Sequence, residues 1–228
     1  MTSPHRTCVP PAIRRLAIAL VAAASAVPLM ATPLFDQGTV SAARPYSTSP
    51  ELAGLAVRAL GALDQWDTAA DPDQYVEFVR ARDEAATLAA AELGLDPGAL
   101  RRSWAAADPD NQRALLAAIT QLGVPYRTNR SEEGVGFDCS GLTTFAWARA
   151  GVALTRQSGA QIREAEAITR EEAQAGDLVH YPGHVSMYLG VDNAIVHSPY
   201  SGRDVEITFL SERRGNSVRF GDPTPDGA

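Results

Sequence analysis

The spacing of the hydrophobic residues changes partway along the chain. Between Ser49 and Leu122 they recur every three or four residues. Leu52, Leu55, Ala56, Ala59, Leu63 and Trp66 form one run, and Tyr75, Phe78, Val79, Ala86 and Ala89 form a second. That spacing lines one face of a helix. Prolines mark the starts. Ser49-Pro50, Asp71-Pro72, Asp96-Pro97 and Asp108-Pro109 each place a capping residue before a proline at the first helical position, where the missing N–H costs nothing. Gln74 is placed to complete a capping box with Asp71, and Gly94 to stop the second helix. The fourth helix carries Leu115, Leu116, Ile119 and Leu122 before Gly123. The recurring Asp-Pro is capping chemistry rather than a repeat.

After Gly123 the pattern becomes mixed. Asp138 stands as an N-cap, and Leu142, Phe145, Ala146 and Ala150 give the next helix an apolar stripe that Gly151 ends. A polar connector, Thr155 to Ala175, is helical in part. Leu178 to Tyr181 then reads as a strand, interrupted at Pro182-Gly183. His184 to Leu189 alternates, with His184, Ser186 and Tyr188 on one face and Val185, Met187 and Leu189 on the other. Asp192-Asn193 signals a turn, and Ala194 to His197 is the returning strand. Further strands are expected at Val205 to Phe209 and Ser217 to Phe220, and a loose tail from Gly221. The class is α+β: a helical half, then a helix and short antiparallel strands.

Composition narrows the function. With 228 residues, 45% hydrophobic, the chain is long enough for one domain plus appendages. The net charge of -7, with no Lys/Arg-rich run beyond the N-terminus, argues against a nucleic-acid partner. The start of the chain has the pattern of an export signal. Arg6, Arg14 and Arg15 precede the apolar run Leu16 to Val27, which is short for a membrane span, and small residues suited to cleavage follow. Of three candidate cleavage points, at Ala24-Ser25-Ala26, near Ala31 and at Ser41-Ala42-Ala43, the last is favoured. It makes 1–43 a signal peptide, 44–107 a helical region, 108–220 the mixed α+β domain and 221–228 a flexible tail. The expected product is secreted or extracytoplasmic, monomeric and without a stable membrane span.

Export changes the reading of Cys139. Secreted proteins use cysteines mostly in disulfides, and Cys8 leaves with the signal. A lone thiol remains, in the first turn of a helix, where unpaired N–H groups and the helix dipole favour thiolate and should lower its pKa. The alternative is a buried, inert cysteine packed as a small hydrophobe. The hairpin that follows can bring His184 and His197 together. His184 would then act as the base toward Cys139 and His197 would fix the orientation of His184. An oxyanion hole would use the Cys139 N–H and a second donor, with Tyr126 the candidate for that donor or for substrate positioning. His180 suits a packing role, and Tyr181 a position in the core or over the cleft. A zinc site made of Cys139, His184 and His197 lacks the close ligand pairs that zinc prefers, so neither metal nor cofactor is expected.

Four blocks in order, Phe137-Asp138-Cys139-Ser140-Gly141-Leu142, Gly176-Asp177-Leu178-Val179, His184 to Gly190 and Ile195-Val196-His197, resemble the NlpC-type cysteine peptidases of bacterial cell walls. The resemblance covers roughly 108–220. It implies a papain-like fold, with the helix of Cys139 against an antiparallel sheet. It also implies hydrolysis of peptidoglycan stem peptides, commonly between the side-chain carboxyl of D-glutamate and diaminopimelate. Cys139, His184 and His197 fall on the family's nucleophile, base and third polar residue. Tyr126, Asp138 and Ser140 fall on substrate-contacting positions, and Arg156 keeps part of a following Pro-Arg pattern. Arg127-Thr128-Asn129-Arg130 replaces a Trp-Gly-Gly run, which bears on substrate preference.

Two other readings use the same residues: an amidase or acyl transferase with the same triad, or a catalytically silent wall-binding protein. The helices before Asp108 lie outside the resemblance. They hold no His or Cys, so they are expected either to support the catalytic unit or to cover its cleft and restrain it.

Overall fold

The computed structural model describes residues 45–211, 214 and 217–224. The expected signal at 1–43 and residues 225–228 of the expected tail lie outside the described residues. Four helices come first, each opened by one of the prolines: α1 (Pro50–Ala69), α2 (Pro72–Leu93), α3 (Pro97–Ala106) and α4 (Pro109–Ile119). Ser49, Asp71 and Asp96 cap the first three through their side chains. Two caps differ from expectation. The Asp71 carboxylate takes the N–H of Asp73 rather than that of Gln74. Asp108 makes no side-chain cap and exchanges two hydrogen bonds with the Gln174 amide, at 2.8 and 2.9 Å, which tie the start of α4 to the later connector.

A short ribbon, β1 (Ser131–Glu132) and β2 (Gly136–Phe137), leads into α5 (Cys139–Arg149) and then α6 (Ser158–Glu164). The main sheet follows: β3 (Glu166–Ile168), β4 (Leu178–Tyr181), β5 (His184–Tyr188), β6 (Ala194–His197), β7 (Glu206–Phe209) and β8 (Arg219–Asp222). Its order is β3-β8-β4-β5-β6-β7 and every pairing is antiparallel. The expected loose tail is corrected at its start. Gly221 and Asp222 belong to β8, where Gly221 lies opposite Ala167 and Leu178. A Cβ on Gly221 would come within 2.8 Å of the Ile162 side chain, so glycine lets α6 pack close to the sheet.

Both faces of the sheet are covered. Val185, Met187 and Leu189 join the four helices in one core, while Tyr188 packs with Val179, Ile195, Leu210 and Phe220 in a second. The polar-looking face of β5 is therefore buried as well. The helical region is fastened at several points. Trp104 Nε1 donates to the Leu189 carbonyl at 2.9 Å, and Ser103 Oγ to that of Gly190 at 3.0 Å. Ahead of α1, Ser47 exchanges two 2.9 Å backbone bonds with Ile207, extending the sheet beyond β7. The architecture is thus α+β, with the Cys139 helix packed on an antiparallel sheet and a small helical region before it. Among the described residues no helix is long and apolar enough to cross a membrane.

Candidate active site

Cys139 is the first residue of α5, directly after the Asp138 cap. Its thiol is free, and it lies against the backbone of Val185, the residue after His184 on β5. Ser198 strengthens the link between the two halves of the site. Its buried hydroxyl donates to the Phe137 carbonyl at 2.7 Å, joining the residue after His197 to the one before Asp138.

The β-hairpin sets the histidines. Met187 lies opposite Val196, so by extension His197 is opposite Ser186 and one diagonal step from His184. His184 Nε2 and His197 Nδ1 are 2.9 Å apart, and the rings meet edge-on. Tyr181, opposite His184 across β4 and β5, stacks on its ring with centroids 5.0 Å apart. On the far side of His197, its Nε2 lies 3.4 Å from a Glu206 carboxylate oxygen.

Electrostatics overturn one expectation. Burial pushes the Cys139 thiol up, and the charge of Asp138 adds to this. Backbone N–H groups of Val185, Ser140 and Cys139 pull the other way without winning. The helix terminus acts as expected but is outweighed by desolvation. His184 is driven down to about 3, first by burial and then by the charges of His197, Arg214 and His180. The site therefore rests as a neutral thiol beside a neutral imidazole.

Asp138, Ser140 and Arg156 form one cluster at the start of α5. The Asp138 carboxylate accepts the Gly141 N–H at 2.7 Å and two bonds from Arg156 Nη2, at 3.0 and 3.2 Å. Arg156 also donates to Ser140 Oγ at 3.2 Å, and that hydroxyl donates to the Arg156 carbonyl at 2.6 Å. Buried Gln161 bonds the carbonyls of Ser140 and Thr155, fixing the first turn of α5 from below. Gly141 has a steric reason. An added Cβ would sit 1.9 Å from the Arg130 carbonyl oxygen. That carbonyl also accepts the Asp138 N–H at 3.1 Å, so the Arg127–Arg130 loop buttresses the nucleophile turn. Tyr126 runs beside Phe137 and is held by its own N–H to the Arg203 carbonyl at 2.9 Å.

A cleft of about 530 Å³ opens on the histidine side, lined by Tyr181, His184, His197, Tyr200, Leu210 and Arg214 among others. No residue of α1 to α4 is among those that line it. His180 is buried near Arg219 and takes no part in the histidine pair. The sequence reading missed Glu206 and the stacking of Tyr181 on His184. Glu206 sits in an alternating run, Val205 to Phe209, where a carboxylate reads as solvent-facing. Only the pairing of His197 with Glu206 across β6 and β7 reveals its role.

A cysteine at a helix start, against the strand that carries one of a bonded histidine pair, is an arrangement that cysteine hydrolases use. The comparisons are more specific. Residues 123–218 match the NlpC/P60 family. The chain is 42% identical over 98 residues to a gamma-D-glutamyl-L-lysine dipeptidyl-peptidase of Bacillus cereus, covering 40% of this chain and 29% of that protein. It is 34% identical over 148 residues to the peptidoglycan endopeptidase RipB of Mycobacterium tuberculosis, covering 58% of this chain and 60% of that one. A crystal structure of an NlpC/P60 family protein from Bacillus cereus aligns with 32% identity and a TM-score of 0.47, over 52% of this chain and 42% of that one. The chain thus spans less than two thirds of each of these relatives.

Proposed function

We propose that the protein is a secreted cysteine endopeptidase that cleaves peptidoglycan stem peptides, with the bond between γ-D-glutamate and diaminopimelate as its target. The observation that carries this is the convergence of Cys139 on the strand of His184, with His197 hydrogen-bonded behind. One relative named as a peptidoglycan endopeptidase and another named as a gamma-D-glutamyl-L-lysine dipeptidyl-peptidase support the substrate class.

The chemistry runs through these groups in order. As Sγ of Cys139 attacks the amide carbon, His184 takes the thiol proton through Nδ1, since its Nε2 is occupied by His197. The oxyanion is stabilised by the N–H of Cys139 at the helix start, with Tyr126 beside the same turn as second donor or positioner. The C–N bond breaks, His184 gives its proton to the leaving amine, and a thioester remains. Water then attacks with His184 as base, releasing the new carboxylate and restoring the thiol. Asp138, Ser140 and Arg156 bind the substrate beside the nucleophile. Asp138 already holds Arg156, so a substrate amine would join an existing ion pair.

The test is incubation of the protein and of Cys139→Ala with purified peptidoglycan, followed by mass spectrometry of the released fragments. A new D-glutamate terminus opposite a free diaminopimelate amine, absent with Cys139→Ala, is expected. Fragments independent of Cys139, or none from several wall types, would overturn the proposal.

A further inference from the structure

We infer that Glu206 is a positioning residue for the reaction: a buried carboxylate that sets the tautomer of both histidines and so leaves His184 Nδ1 able to accept the thiol proton. This rests on the peptidase reading above and adds a residue to it.

The placement is built into the sheet. His197 and Glu206 are direct partners across β6 and β7, and Glu206 is only 3% exposed. Its carboxylate is paired with Arg203, so the charge is compensated where it sits. Arg203 is in turn held over the ring of Tyr46, 4.4 Å from its centroid. Tyr46 belongs to the segment whose Ser47 pairs with β7 at Ile207, so the residues ahead of α1 brace the same strand.

The hydrogen-bond chain then has a direction. A carboxylate paired with arginine only accepts, so His197 Nε2 must carry a proton to bond with it, at 3.4 Å. A neutral His197 with its proton on Nε2 has an acceptor at Nδ1. That atom faces His184 Nε2 at 2.9 Å, so the His184 proton lies on Nε2. His184 Nδ1 is left with its lone pair free. If residue 206 were a donor, every proton in the chain would reverse, and His184 would present an N–H where it must accept a proton. Without Glu206 nothing in the pair distinguishes the two arrangements.

The substitution that exposes this is Glu206→Gln. Arg203 has only donors, so it would draw the amide oxygen to itself and turn the NH₂ toward His197. We expect a kcat lower by about 10- to 100-fold, taking as a guide the range for outer partners that fix the tautomer and orientation of metal-ligating histidines, with KM little changed. Combining Glu206→Gln with Arg203→Met frees the amide to turn its oxygen toward His197 and should restore part of the rate. A loss caused only by poorer packing would deepen with the second change. The direct readout is ¹⁵N NMR of the imidazoles in the full unsubstituted chain, which needs no variant to fold. Protonated Nε2 on both histidines is expected. A proton on His184 Nδ1, or a Glu206→Gln form with unchanged tautomers and rate, would overturn the inference. If the unsubstituted protein releases no Cys139-dependent fragments, the peptidase reading fails instead, and the NMR still decides the role of Glu206.

Discussion

Asp177 gives the sharpest test of how the two halves of the fold are joined. It is 1% exposed at the start of β4. Asn111 on α4 donates to one oxygen at 2.7 Å and the Gln174 N–H to the other at 2.6 Å. Burial outweighs both bonds and, with the charges of Asp222 and Asp108, raises the carboxyl from 3.8 to about 7. In the unfolded chain the proton leaves near 3.8. Between these values the folded state holds more protons, so stability is complete below about pH 4 and falls as pH rises toward 7. About three units at about 1.4 kcal/mol each makes a loss of about 4 kcal/mol. Asp177→Asn removes that slope. It also turns an amide NH₂ toward one of the two donors, at a constant cost of about 1–3 kcal/mol. The two stability curves should therefore cross between about pH 4.5 and 6, with the variant the less stable below the crossing and the more stable above. Urea unfolding followed by circular dichroism from pH 4 to 8 measures both curves. Parallel curves would refute the reasoning, because the other carboxylates are common to both proteins and cancel in the difference.

Two further outcomes follow from close contacts. Gly141→Ala should cost about 1–3 kcal/mol, as overpacking does, because the new Cβ meets the Arg130 backbone rather than a movable side chain. It should also slow Cys139 alkylation by iodoacetamide as the turn shifts, and an unchanged stability and rate would count against the steric account. A form truncated to begin near Asp108 should lose activity through instability, because Trp104 is withdrawn from the Leu189 carbonyl at the end of the His184 strand and Ser47 from β7. Higher activity with an unchanged melting temperature would restore the idea of a restraining cover, and equal activity with an unchanged melting temperature would refute both the cover and the instability argued here.

The helices were legible because proline, cap and apolar spacing each act within a few residues. The hairpin of His184 and His197 was legible from alternation and a turn signal. What escaped was set by contacts distant in sequence. Gly221 looked like the start of a loose tail because nothing nearby shows that β3 and β4 pair on either side of it. Asp108 looked like an ordinary cap, but Gln174, far along the chain, takes over its bonding. Glu206 drew no attention because alternation reports two faces and not which of them is buried. The thiol was misjudged for a related reason. A helix start can be read from sequence, but the depth of the sulfur beneath its neighbours cannot.

That depth bears on how a free thiol survives where the proposed export would take it. Oxidants attack the thiolate far more readily than the thiol. Burial that raises Cys139 and lowers His184 keeps both groups neutral at rest, so the sulfur is least reactive while no substrate is bound. The same burial does not forbid the proton transfer, because moving a proton from Cys139 to His184 leaves the site's net charge unchanged. The cost is that of separating two opposite charges. It is offset by the N–H groups at the head of α5 on one side and, through His197, by Glu206 on the other. Reactivity then depends on a carbonyl arriving to receive the sulfur's electrons, which ties activation of the thiol to the presence of substrate rather than to pH.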